Sequence, residues 1–97
     1  MKIKTIDVNA LEWFDKVNGN SYFSAEVVLN YMLSDEVILK LPFQYGYGDH
    51  YNDVAMDEIV KKLDINYDGR RLWKFCEENN IILRTSKKEN CLKKELI

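Results

Sequence analysis

Apolar and polar residues alternate with a period of two over the first half of the chain and change to a helical period after it. Phe23, Ala25, Val27, Leu29 and Tyr31 interleave with Ser24, Glu26, Val28 and Asn30, the pattern of a strand with one buried and one wetter face. After a short turn at Ser34-Asp35, Val37, Leu39, Leu41 and Phe43 repeat it, alternating with Ile38, Lys40 and Pro42. Pro42 has no amide hydrogen to donate, so this strand ends there or lies at a sheet edge. The stretch Ile3 to Val17 reads two ways. As a strand it puts Ile6, Val8, Ala10 and Phe14 on one face with Glu12 out of pattern; as a helix it is capped by Asn9, with Ala10, Trp13, Phe14 and Val17 at helical spacing. Asn18-Gly19 favours the strand over most of the stretch, with residues 9–17 open to either reading, because this pair signals a two-residue type I′ hairpin turn, in which both central residues need positive φ.

Beyond Tyr51 the period lengthens. Ala55, Met56, Ile59, Val60 and Leu63 form a helix stripe, with Asn52 or Asp49 as its cap and Asp53, Asp57 and Glu58 in its early turns. A second short helix is expected after Asp68-Gly69, turning Leu72, Phe75 and Cys76 inward and ending at Asn79-Asn80. Ile81-Ile82-Leu83 then reads as a last strand. The order predicts an α+β fold: a three-stranded antiparallel meander, two helices and a final strand, with the helices packed on one face of the sheet. Residues 1–86 make one domain, and 87–97, with Lys87, Lys88, Lys93 and Lys94, a polar, basic tail that frays. The second sheet face must stay wet or find a partner. Trp13, Phe14 and Tyr31 are the candidate interface residues, with Tyr22 a further exposed aromatic, and an open face of this kind invites homo-oligomers. The competing reading is that these rings complete the core.

Composition narrows the classes. With 97 residues there is room for one core. Fourteen basic and 16 acidic side chains give a net charge of −2, without the basic excess that duplex binding draws on and without the carboxylate rows of a DNA mimic. A nucleic-acid partner is therefore disfavoured, the basic tail being its one foothold. No apolar run approaches a membrane span and no signal peptide precedes the first acid, so the expected location is the cytoplasm. Cys76 and Cys91 match no metal or redox spacing; Cys76 falls on an apolar helix side and Cys91 is expected as a free thiol in the tail. No metal and no cofactor is expected.

The chemistry concentrates in Tyr45-Gly46-Tyr47-Gly48-Asp49-His50-Tyr51, a loop from a strand into a helix N-terminus. Glycines allow a sharp turn and close backbone approach, the helix end offers unpaired N–H groups, and the tyrosines and histidine supply stacking faces with polar tips. These seven residues, with Asn20 and Tyr22, are the candidate ligand-binding set, for a small anionic or nucleotide-like ligand. The motif is neither a dinucleotide fingerprint nor a Walker loop. A plain strand-to-helix corner competes with the site reading, and Asp49 repels an anion unless it caps the helix. Arg70 and Arg71 could clamp a phosphate. Serines with His50 and Asp49 or Asp53 make a triad only on paper, because no nucleophile elbow is present, so no catalytic residue is assigned.

Two stretches carry a family likeness. Trp13-Phe14-Asp15-Lys16-Val17-Asn18-Gly19-Asn20-Ser21-Tyr22-Phe23-Ser24 and Leu41-Pro42-Phe43-Gln44-Tyr45-Gly46-Tyr47-Gly48-Asp49-His50-Tyr51 resemble the two signatures of a family of small bacteriophage and prophage proteins, and together cover about a quarter of the chain. Glu12 and Phe23 stand where that family often has a basic residue and a histidine, so no role passes to those positions. The resemblance implies phage origin and an accessory role toward the host rather than a place in the virion; it supplies no catalytic residues. The function expected is therefore a non-enzymatic accessory protein that interferes with a host system, immunity among them, by sequestering a nucleotide-like ligand at the Gly-Tyr loop. The alternative is an inhibitor, akin to anti-CRISPR proteins, that occludes a host protein through its aromatic sheet face.

Overall fold

The computed structural model describes residues 2–67 and 71–97. Strands β1 (Thr5–Asp15), β2 (Asn20–Leu29), β3 (Val37–Tyr45) and β4 (Ile82–Lys88) form one mixed sheet in the order β3-β2-β1-β4. The first three are antiparallel neighbours, and β4 returns parallel to β1 at the far edge. Helix α1 (His50–Leu63) and helix α2 (Leu72–Glu78) connect β3 to β4. A short third helix, α3 (Lys93–Leu96), follows β4.

The period-two pattern sets which face is buried. Ile6, Val8 and Ala10 of β1 stand opposite Leu29, Val27 and Ala25 of β2, and Val37, Leu39 and Leu41 continue these rows on β3. On that face they pack with Tyr51, Ala55, Met56 and Ile59 of α1 and Leu72, Phe75 and Cys76 of α2. All three inward residues expected of the second helix are buried, and its end at Asn79 matches the sequence reading. The expected start at Asp68-Gly69 lies outside the described residues.

Particular expectations are corrected. The β1–β2 hairpin is where Asn18-Gly19 put it, but Asp15 pairs with Asn20 across a four-residue loop, and only Gly19 of that loop has positive φ (69°). The cause is Asp15, whose carboxylate accepts from the amides of Val17 and Asn18 and from the Asn18 side chain. Its main-chain carbonyl accepts from Gly19 N–H at 2.7 Å. The bonds to the carboxylate, that of the Asn18 side chain first, hold the Asp15 carboxyl below its ordinary pKa. The β2–β3 register shifts between Phe23 and Ala25, so Phe43 leaves the row of Leu39 and Leu41 and stacks on Tyr22, 5.1 Å between ring centroids, on the opposite face. Pro42 sits inside β3, which is tolerated because β3 is an edge strand.

Nor do the helices keep to one face. After Asn90, with φ of 58°, α3 crosses the other side of the sheet. Lys93 Nζ lies 5.4 Å from the Trp13 ring centre and 5.8 Å from that of Phe43, and Leu96 is only 6% exposed. Cys91 is a free thiol, as expected, but a buried one, and its amide donates to the Glu12 carbonyl. The segment expected as a fraying tail thus contains the end of β4 and a strap over the second face. At the opposite end of the sheet, fully buried Asn30 accepts from the amides of Lys4 and Thr5 and donates to the Lys2 carbonyl, fastening the N-terminal strand.

Candidate functional site

The Gly-Tyr loop leaves β3 at Tyr45 and enters α1 at His50, so its position is fixed by an edge strand on one side and a core helix on the other. Gly46 is buried and its amide donates to the Ser21 carbonyl. A Cβ there would stand 2.7 Å from Phe23 Cε1 and 2.8 Å from His50 Cδ2, so only glycine lets the two rings close over the backbone. Gly48 serves differently: its φ is 59° and nothing crowds the space a side chain would take. The His50 ring packs edge-on against Phe23 at 6.2 Å.

Among the described residues, Tyr45, Gly46, Tyr47, Asp49, His50, Asp53 and Arg71 enclose a hollow of about 390 Å3. Tyr45 and Tyr47 are 58% and 69% exposed, so two aromatic faces stand bare at its mouth. Asp49 occupies the N-cap of α1 without making a side-chain cap bond, and it lines the hollow. Asp53, one turn later, receives Arg71 Nη1 on both oxygens, at 3.2 and 3.1 Å. This ion pair is largely solvated and worth roughly 1 kcal/mol at most, so it opens cheaply. A smaller hollow adjoins it, with Asp49, Asp53 and Arg71 common to both and Asn52, Leu72, Trp73 and Leu83 beyond. Asn52, the other cap candidate, lies within the first turn; its Oδ1 is buried with no hydrogen-bond partner among the described residues.

Sequence reasoning gathered five of these residues in one contiguous stretch. Gly48 supports the turn, and Tyr51 is turned away into the core at 6% exposure. Asn20 and Tyr22 belong to the neighbouring strand; Tyr22 pairs with Tyr45 and meets its ring edge-on at 5.9 Å, but neither lines the hollow. Arg71 arrives from the start of α2, while Arg70 lies outside the described residues. Lys87 was not singled out for the site. From β4 it donates to the Gly48 carbonyl at 3.2 Å and pairs with Glu12 at 2.9 Å, so the residue out of pattern on β1 anchors the loop's support. Burial opposes the Lys87 charge, but the Glu12 and Glu89 carboxylates outweigh it and raise its pKa. No local signal joins Lys87 to a loop 39 positions earlier.

The interface candidates do not form one surface. Trp13 stacks with Tyr22 at 5.5 Å beneath α3's Lys93. Phe14 points to the opposite face, 46% exposed beyond the reach of α1 and α2. Tyr31 lies past the other end of the sheet, its amide on the Thr5 hydroxyl. The Thr5–Trp13 span, at about 3.3 Å per residue, separates it from Trp13 by roughly 26 Å.

Among the described residues no group of three or more His, Cys, Asp or Glu is placed to hold a metal ion, and no helix is long and apolar enough to cross a membrane. Compared with family models, curated proteins and solved structures, the chain matches none.

Proposed function

We propose that this chain is a non-enzymatic binding protein that sequesters a nucleotide-like ligand in the hollow between β3 and α1, as an accessory factor of bacteriophage origin acting on a host system in the host-cell cytoplasm. One observation carries the reading: two exposed tyrosine rings and a histidine surround a glycine floor, with carboxylates and a guanidinium at the same hollow. Flat rings stack on flat rings, and the polar tips select among them. The volume of about 390 Å3 lies in the range of small-molecule sites. Asp49 accepts hydrogen bonds from ring N–H, amino and sugar hydroxyl groups, while Arg71 stays paired with Asp53 at the rim. The alternative, occlusion of a host protein through the aromatic sheet face, draws less support, because α3 already covers Trp13 and Phe43.

The test is thermal unfolding with a panel of nucleotides and cyclic nucleotides. At ten times Kd the linkage is about 1.4 kcal/mol, which for a domain of this size raises Tm by roughly 5–10 °C. Tyr47→Ala should leave the unliganded Tm nearly unchanged and remove the shift. A panel without any shift would defeat the proposal.

A further inference from the structure

The charge of the hollow says which part of a nucleotide it reads. Among the described residues of the lining, Asp49 and Asp53 against Arg71 leave one carboxylate in excess, and Asp49 is itself the N-cap of α1. A phosphate seated there would meet a net negative lining. The unused capacity is for donors, and it resides on Asp49, because Asp53 is taken up by Arg71 while Asp49 makes no cap bond.

We infer that the hollow selects a guanine-type base, with Asp49 accepting the adjacent ring N–H and exocyclic NH2 of that base while Tyr45 and Tyr47 stack on its faces, and with the phosphates directed out of the hollow. The inference rests on the nucleotide-binding reading above and names the ligand within it. A carboxylate presents two parallel acceptors, and the N–H/NH2 edge of guanine presents two parallel donors on one side of a planar ring. Adenine and cytosine place a ring-nitrogen lone pair beside the amino group, which would face the second carboxylate oxygen. Hypoxanthine keeps the ring N–H but lacks the amino group. A carboxylate of this hollow already accepts from a planar nitrogen donor: Arg71 Nη1 lies against both Asp53 oxygens. Asp49 is thus a specificity-determining residue, and His50, beside it on the first turn of α1, adds a ring to the wall.

Isothermal titration of the full chain with GMP, IMP, AMP and GTP tests this. GMP should bind at least about five-fold tighter than IMP or AMP, the smallest discrimination expected of a paired donor edge. GTP should gain no more than about three-fold over GMP, since added phosphates meet a net negative lining among the described residues, with Arg71 paired to Asp53. Asp49→Asn should erase the preference with its far-UV circular dichroism unchanged, and Asp53→Asn, which frees Arg71, should keep it. Binding of GMP, IMP and AMP within two-fold of one another, or a preference that survives Asp49→Asn, would overturn the assignment while leaving nucleotide binding in place. A GTP affinity more than ten-fold above GMP would relocate recognition to the phosphates. If none of the four binds, the broader reading fails with it.

Discussion

At the scale of single residues, the loop is held in part by atoms that its own sequence does not contain. Gly46 is fixed by Phe23 and His50, and Gly48 by Lys87. Gly46→Ala should therefore cost roughly 1–3 kcal/mol by overpacking, and the ring that yields most easily is that of exposed His50, so the hollow deforms with it. Urea unfolding beside ligand titration reads both effects. Lys87→Met should cost about 1–2 kcal/mol, because it strips Glu12 and the Gly48 carbonyl of a largely buried partner. Lys87 also gives the fold an alkaline edge. Its folded pKa lies above the ordinary 10.5, so its contribution is fully present below that value and is lost as pH rises through the folded pKa. Burial pushes the Cys76 thiol from 9.0 up to about 11, and this acts in the same direction: above pH 9 the unfolded thiol ionises while the folded one does not. Stability should fall from pH 9 upward, and above pH 10 more steeply in the wild type than in Lys87→Met, as Tm against pH would show. A Tm flat to pH 11 would contradict both assignments.

At the scale of elements, what could be read in advance followed from repetition. Phe23 to Leu29 and Ala55 to Leu63 each repeat their period often enough to declare strand and helix, and they supply seven of the sixteen described buried residues of the core. Elements without repetition stayed illegible. The hairpin loop departs from the two-residue turn because Asp15 caps two amides from outside the Asn-Gly pair, and Phe43 departs from its row because a register shift leaves no mark on the alternation. The strap was hidden for another reason: Leu92, Leu96 and Ile97 are scattered among lysines and glutamates, and α3 spans only Lys93–Leu96. Its burial is nonetheless specific. Leu96→Ala should cost about 2–3 kcal/mol. Removing residues 89–97 should shift tryptophan emission to the red by uncovering Trp13, without unfolding the sheet. Removal of everything after Leu83, by contrast, deletes most of β4 and should prevent folding. A truncation at 89 that leaves both Tm and emission unchanged would show that the strap is not seated. Both thiols are buried, so a thiol reagent at pH 8 should react slowly with the native chain and with two equivalents only after unfolding.

At the scale of the whole molecule, the candidate site is a meeting of three segments: the β3–α1 loop, the start of α2 and, one layer behind, β4. The first was legible because glycine, tyrosine, aspartate and histidine fall in one run. Arg71 could be named as a phosphate ligand but not placed, and Lys87 could be neither, since contacts between distant segments are products of the packed sheet. The account rests on the hollow those segments form being a place where a flat, donor-bearing ligand binds. Calorimetric titration of the wild-type chain with GMP and AMP, beside Tyr47→Ala and Asp49→Asn, tests it most directly. Saturable binding of one ligand per chain is predicted, lost in Tyr47→Ala and stripped of base preference in Asp49→Asn. Undiminished binding to the Tyr47→Ala chain, or no heat of binding at millimolar ligand from any of the three, would contradict it.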